Sequence, residues 1–205
     1  MKWLDKKGMF ISIREKPAAL IILLFTLIIG IAAGATAYNQ LQQFVKVDYI
    51  GGAVKSIGAH AGFHFYGIVQ TICVNIACFI LASLSGLWVP GMPFSLISVL
   101  VKGFFIGTAT TALLNSGGAF GVLGAILVVA IPGAPAAIAL LLSAYMGLRE
   151  WAPRSKAVLQ GGHSGTISRP YLVQTLNLFK LFLIAIALDI VLSSLLFSLC
   201  VALFG

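Results

Sequence analysis

The stretch AFGVLGAILVVAIPGAPAAIALLLSAYMGL, residues 119–148, decides the fold, because it contains no charged residue. As one straight helix it would be about 45 Å long, which exceeds the roughly 30 Å hydrocarbon core of a bilayer. The sequence Pro132-Gly133-Ala134-Pro135 lies near its middle, where proline removes a backbone donor and glycine permits a bend. Each half is too short to span a membrane alone. The stretch is therefore either one broken helix that crosses once or a re-entrant hairpin.

Four more apolar runs lie on either side of this stretch, at about residues 18–38, 66–89, 94–114 and 176–204. The chain of 205 residues is 60% hydrophobic and 9% charged, whereas soluble domains are about 25% charged. A soluble fold of this size could not bury so much apolar surface. The sequence predicts an all-α polytopic membrane helix bundle of about five spans, the fourth broken at the Pro-Gly-Ala-Pro turn, forming a single membrane domain over residues 1–205.

Basic residues predict the orientation of the chain. They are concentrated in the leader, residues 1–17, and in the segment 149–175. Since Lys and Arg favour the cytoplasmic side, we expect the N-terminus and segment 149–175 inside and the loop 39–65 outside. A re-entrant fourth stretch would export the basic segment, so the broken helix is favoured. The net charge of +8 then indicates contact with anionic membrane lipids and not with nucleic acid.

The first apolar run has a competing interpretation as a signal peptide, because Ala35-Thr36-Ala37 resembles a cleavage site. The basic leader is long for a signal peptide, and the apolar run is at the upper limit of length. An uncleaved helix is favoured. In both cases the segment that follows lies outside.

Two charged residues lie inside predicted spans, Lys102 in the third and Asp189 in the fifth. A charge at such depth costs several kcal/mol unless it is satisfied. The two spans run in the same direction in this topology, so the two side chains can meet at similar depth. We predict an ion pair that fixes helix packing, and a proton or ion relay is the functional alternative.

Spaced glycines occur in two spans, Gly30 with Gly34 and Gly103 with Gly107. Small residues at this spacing let helices approach closely in lipid. The pattern is common, and close packing within the bundle is favoured over dimerisation.

The sequence Pro-Gly-x-Pro occurs twice, as Pro90–Pro93 and Pro132–Pro135, each after a β-branched residue. Paired interruptions of apolar segments are typical of transporter binding sites. Coincidence, or the shared chemistry of turns, is the simpler explanation.

Catalytic and metal-binding patterns are missing from the sequence. Cys73, Cys78 and Cys200 have neither metal-ligand nor redox spacing, and His60 with His64 lacks further ligands. There is no nucleophile motif or phosphate-binding loop, and the chain has five acidic residues in all. We therefore expect a non-enzyme without cofactor or metal.

The sequence Gly91-Met92-Pro93, followed by an apolar stretch and then Lys102-Gly103-Phe104-Phe105-Ile106-Gly107, resembles the stage II sporulation protein M family. Gly30, Gly34 and Asn75 also match positions of that family, and the similarity covers about residues 10–204. The chain departs from the pattern at Ala77, where a polar or basic side chain is expected, and its 39–65 loop is short.

The resemblance implies a membrane scaffold that localises septal peptidoglycan-degrading proteins during engulfment in sporulation. The implied partners are wall hydrolases similar to stage II sporulation proteins P and D, and the implied location is the cell membrane at the sporulation septum. The alternative is a small-molecule or ion transporter subunit with an interrupted-helix site. A polar cavity at mid-membrane depth would favour that alternative.

Overall fold

The computed structural model describes residues 17–44, 65–87, 91–115, 118–161 and 169–204, which contain helices and no strand. A π-helical segment, Ala125–Ala130, joins the fourth helix to the fifth. The α-helices are α1 (Pro17–Phe44), α2 (Phe65–Leu84), α3 (Met92–Leu114), α4 (Gly118–Gly124), α5 (Ile131–Leu159) and α6 (Arg169–Phe204).

The helices have the length and composition of membrane spans. Four stretches are long and apolar enough to cross a bilayer, and α2 contributes a shorter apolar stretch, Ile72–Leu84. Large apolar side chains of α1 face outward, among them Phe25 at 63% and Ile28 at 60% exposure. Such faces suit lipid and not water. The chain is an all-α membrane helix bundle, as the sequence predicts. The four stretches are Pro17–Gln40, Met92–Leu114, Gly121–Leu159 and Arg169–Cys200.

The helices α1, α2 and α3 alternate in direction. Gly103 and Gly107 of α3 pack on the backbone of Leu27 and Ile31 of α1, in the same order along both helices, so α1 and α3 are parallel. Hydrogen bonds between α2 and α3 pair residues in the reverse order, Asn75 with Lys102 and Ser85 with Ser95, so these two helices are antiparallel.

The last helix runs with α1 and α3. Tyr171 at its start bonds to Ser83 near the end of α2, and Phe182 stacks on Phe79 with ring centroids 4.6 Å apart. This pairing in reverse order makes α6 antiparallel to α2. The predicted parallel course of the spans that carry Lys102 and Asp189 is therefore present.

The fourth stretch differs from the prediction. The sequence predicts a break or turn at Pro132–Pro135, but the chain is helical from Gly118 to Leu159. The irregularity takes the form of the π-helical segment, which ends just before the motif. Pro132 is the second residue of α5, and the π-helical segment runs directly into this helix, so the missing N–H of Pro132 leaves a carbonyl of that segment without its backbone donor. Neither a chain reversal nor a hairpin occurs between residues 118 and 159.

A donor from another helix compensates for Pro132. In an α-helix the N–H of residue 132 would bond to the carbonyl of Val128, and proline has no N–H. The Ser193 hydroxyl of α6 donates to that carbonyl at 3.0 Å. Serine side chains on neighbouring helices commonly satisfy backbone groups that a proline leaves free in membrane helices. The helix can therefore continue through the motif.

The predicted loop boundaries also change. Helix α5 extends to Leu159 and α6 begins at Arg169, so much of the basic segment 149–175 is helical. Helix α1 continues to Phe44, into the predicted exterior loop 39–65, whose residues 45–64 lie outside the described residues.

The closest helix contact joins α1 and α3 through the four spaced glycines. A Cβ atom at Gly30 or Gly34 would overlap the carbonyl of Leu100 or Phe104, and the same holds for Gly103 and Gly107 against α1. Lipid provides no hydrophobic drive for helix association, so such packing contributes much of the stability. The two glycine motifs face each other within the bundle.

A cluster of serine side chains near the start of α3 links the C-terminal end of α2 to α3, α5 and α6. Ser95 of α3 donates to Oγ of Ser85, the residue after α2, at 2.5 Å, and the hydroxyls of Ser83 of α2 and Ser143 of α5 lie 3.0 Å apart. Tyr171 OH of α6 donates to the Ser83 carbonyl. We did not predict this cluster, because isolated serines in apolar runs have no recognisable spacing. It fixes one end of the bundle.

A polar cavity in the apolar bundle

Lys102 lies in the interior of α3 and is only 8% exposed. Its Nζ atom donates a hydrogen bond of 2.7 Å to Oδ1 of Asn75, which is 5% exposed on α2. Buried cations need such acceptors, because burial removes the water that would solvate them. Asn75 therefore acts as the polar partner of the lysine.

Asp189 is half-buried on α6 and faces the same region of the bundle. Its Oδ1 atom lies 3.2 Å from the Ser193 hydroxyl, one helical turn further along α6. Ser193 Oγ thus lies within hydrogen-bond distance of both the Asp189 carboxylate and the Val128 carbonyl. Asp189 and Lys102 attract each other electrostatically.

The predicted ion pair takes a different form. Lys102 donates to Asn75, and the nearest polar side chain to Asp189 is Ser193, whose single hydroxyl proton is shared between the Asp189 carboxylate and the Val128 carbonyl. Both charged residues line one cavity of about 270 Å³. In place of the direct contact that the sequence predicts, Lys102 and Asp189 both line this cavity.

The rest of the cavity wall is mostly apolar. The side chains come from α2, α3, α5, α6 and the π-helical segment, so the cavity lies where these elements meet and is partly open at the surface of the bundle. Phe105 on its rim is 43% exposed. The lining residues are Val74, Asn75, Lys102, Phe105, Ile106, Ala109, Val128, Val129, Gly133 and Asp189.

The irregular helix forms part of this wall. Val128 and Val129 belong to the π-helical segment, and Gly133 belongs to the Pro-Gly-Ala-Pro motif. A Cβ atom at Gly133 would meet nothing within 4 Å, so the glycine borders open space. Insertions of π-helix often occur at functional sites. Two unusual features of the sequence, the intramembrane charges and the proline-interrupted stretch, therefore meet at one cavity.

The other residues singled out from the sequence lie away from the cavity. Gly103 and Gly107 face α1. Gly91 and Pro93 lie at the start of α3, where a Cβ atom at Gly91 would overlap the Ser85 carbonyl. Pro135 is exposed on α5, whereas Pro132 is buried beside Gly133. These positions shape the helices and do not contribute side chains to the cavity.

Ser193 is the residue of this site that the sequence analysis missed. Its position four residues after Asp189 places both on one helix face. That spacing was available in the sequence. Its second acceptor, the Val128 carbonyl, depends on the packing of α6 against the π-helical segment, which the sequence does not reveal.

The described residues contain no group of three or more His, Cys, Asp or Glu side chains that could hold a metal ion. Cys78 and Cys200 are buried and Cys73 is exposed, all as free thiols. His60, His64 and His163 lie outside the part of the chain that the structure describes. Among the described residues, the polar side chains that line the cavity are the Lys102 ammonium, the Asp189 carboxylate and the Asn75 amide.

Comparisons with protein-family models, with curated proteins and with solved structures found no match to this chain.

Proposed function

We propose that this chain is a membrane scaffold that localises peptidoglycan-degrading proteins at the septum during engulfment in sporulation. The observation that supports this proposal is that the residues of the resemblance pack at the contacts of α3 with α1 and with the α2 region. These residues are Gly30, Gly34, Asn75, Gly91, Lys102, Gly103 and Gly107. If the resemblance reflects a shared fold, its residues should lie at contacts between helices. If it reflects matched hydropathy alone, there is no reason for them to do so.

A rigid bundle suits a scaffold, because positioning a partner requires that the ends of the helices keep a fixed arrangement. At one end, the Asn115 amide donates to Asn39 Oδ1 at 3.4 Å, which links the end of α3 to the end of α1. The segments that follow these ends, 45–64 and 116–117, lie outside the described residues. The proposal assigns the contacts with exported wall hydrolases to this end.

The proposal places the chain in the cell membrane with the other end inside. Arg149, Lys156 and Arg169 are exposed there, and α1 begins at the same end because it runs with α3 and α6. Basic residues beside spans favour the cytoplasmic side and bind anionic lipid headgroups.

Site-specific photo-crosslinking in sporulating cells tests the scaffold. A photoreactive amino acid replaces Asn39 at the proposed exterior end and, as the matched control, Lys156 at the opposite end. Recovery of a peptidoglycan hydrolase from position 39 and not from position 156 supports the proposal. Absence of a wall hydrolase from the position 39 products, in cells that accumulate the folded chain, would contradict it.

The cavity favours a second candidate, a small-molecule or ion transporter subunit. Transport requires that water reach the charged residues at some stage of the cycle. In a chain whose native cysteines are replaced, a cysteine in place of Ala109, which lines the cavity, should react with a membrane-impermeant thiol reagent. Ala112→Cys is the control, since Ala112 is 6% exposed and lies on the same helix outside the cavity. Equal protection of both positions would contradict this candidate.

A further inference from the structure

The two charges of the cavity differ from those of a structural ion pair. A pair that only fixes helix packing gains most from direct contact, because attraction in a low dielectric grows as the distance falls. Lys102 and Asp189 instead bond to Asn75 and Ser193 and line a common cavity. Both charges therefore remain directed to a shared space.

Each charged group has unused bonding capacity toward a ligand. A lysine ammonium has three N–H donors, of which the Lys102 ammonium uses one on Asn75. An aspartate carboxylate has two acceptor oxygens, and the described contact of Asp189 with Ser193 involves Oδ1. The cavity can therefore bind an anionic group at Lys102 and a cationic group at Asp189.

The volume of the cavity indicates the size of ligand that fits it. The cavity of about 270 Å³ is slightly below the range of about 300–1,000 Å³ that is typical of pockets for drug-sized molecules. Valine, isoleucine and alanine side chains form much of the lining. A fitting molecule is small, has a short apolar centre and is charged at both ends.

The charge arrangement excludes ions of one sign. A simple anion would be attracted by Lys102 but repelled by Asp189. A simple cation would be attracted by Asp189 but repelled by Lys102. A zwitterion satisfies both groups and has no net charge, which lowers the electrostatic cost of entering a bundle surrounded by lipid. We propose that this cavity is a binding site for a small zwitterion, with its carboxylate on Lys102 and its ammonium on Asp189.

This inference goes beyond the scaffold proposal and does not depend on it. Binding is measured on the full purified chain in detergent, without any partner protein. The probes are radiolabelled L-alanine, β-alanine and 4-aminobutyrate, which cover different separations of the two charges. Propionate and propylamine, with one charge each, are the matched controls. Equilibrium dialysis gives the affinity, and the midpoint of thermal unfolding gives an independent readout of ligand binding.

At least one zwitterion should bind saturably, at least about tenfold more tightly than either singly charged control, and raise the unfolding midpoint. Lys102→Met and Asp189→Asn should each weaken its binding by about tenfold or more. Lys180→Met, which changes an exposed lysine of α6, should leave the affinity unchanged.

Loss of a charge could also unfold the bundle, so a variant with both charges intact is needed. Ala109→Leu reduces the volume of the cavity and keeps Lys102 and Asp189. It should abolish binding in a chain that elutes as a single species in detergent. The proposal is overturned if folded wild-type chain binds none of the three zwitterions, which would mean that the cavity holds water only. It is also overturned if propionate or propylamine binds as tightly, or if Ala109→Leu binds as well as wild type.

Discussion

Lys102 donates its hydrogen bond to Asn75 across the α2–α3 interface, at 2.7 Å, while the carboxylate of Asp189 bonds within its own helix to Ser193. The amide thus solvates a cation that would otherwise cost several kcal/mol at this depth. Because Asn75 is neutral, it does not neutralise the charge of the Lys102 ammonium, and two of the three N–H donors remain for other partners. This relationship makes α2 and α3 a unit and distinguishes the site from a simple ion pair.

Double-mutant cycles should reveal this relationship. Asn75→Ala removes the acceptor of a buried cation, so we expect a loss of about 1.5–3 kcal/mol in the free energy of unfolding. In a Lys102→Met background the same change should cost less, and the Lys102–Asn75 coupling should exceed the Lys102–Asp189 coupling measured with Asp189→Asn. Unfolding in mixed detergent micelles provides the measurement. A larger coupling to Asp189 would indicate a direct ion pair instead.

The different surroundings of Gly34 and Gly133 predict different effects for the same substitution by alanine. Gly34→Ala places a methyl group against the Phe104 carbonyl, and we expect a loss of about 1–3 kcal/mol because the helices must separate. Gly133→Ala introduces the same methyl group where nothing lies within 4 Å. It should be neutral or stabilise by up to about 1 kcal/mol, since alanine favours a helix more than glycine does. Equal losses in both variants, measured by unfolding in micelles, would contradict the close packing.

The Ser193–Val128 hydrogen bond predicts a dependence on Pro132. Ser193→Ala should reduce the free energy of unfolding by about 1 kcal/mol, because the Val128 carbonyl loses a donor. Pro132→Ala restores a backbone N–H at position 132, so the same serine substitution should cost less in that background. Ser198→Ala is the control, since Ser198 bonds to Ser194 within α6. An unchanged cost of Ser193→Ala in both backgrounds would show that the hydroxyl does not compensate for the proline.

The helix directions predict which residues label from the same side of the membrane. Starting from a chain without native cysteines, Asn39→Cys and Asn115→Cys should react with an impermeant thiol reagent added to intact cells. Lys156→Cys, at the other end of the bundle, should react only after the membrane is permeabilised. Labelling of all three positions from outside would require a different topology from the alternating one described here.

The sequence predicted the fold class because membrane spans depend on composition over about 20 residues, and Lys102 and Asp189 are conspicuous against such runs. It also placed these two residues at similar depth, since direction follows from the number of crossings. The prediction of a direct contact between Lys102 and Asp189 was wrong. Asn75 is only one of several polar residues in α2, and nothing in its sequence context shows that it faces Lys102.

The continuous helical path from residue 118 to residue 159 was harder to predict for a related reason. Pro132 and Gly133 indicate a break when considered alone, whereas the Ser193 hydroxyl, from a helix far along the chain, supplies a donor to the Val128 carbonyl. The cavity depends on the same long-range packing. A local pattern identifies residues with unusual demands, whereas the partners that satisfy them are set by tertiary structure.

The distance along the chain between Val128 and Ser193 has a consequence for biogenesis. Synthesis proceeds from the N-terminus, so the helix with Pro132 enters the bilayer before Ser193 has been made. Lys102, by contrast, emerges when Asn75 is already available. The first three helices can thus assemble as soon as they are inserted, while the Pro132 helix must wait for α6 to supply its missing donor, which makes the arrival of the last helix the step that completes folding.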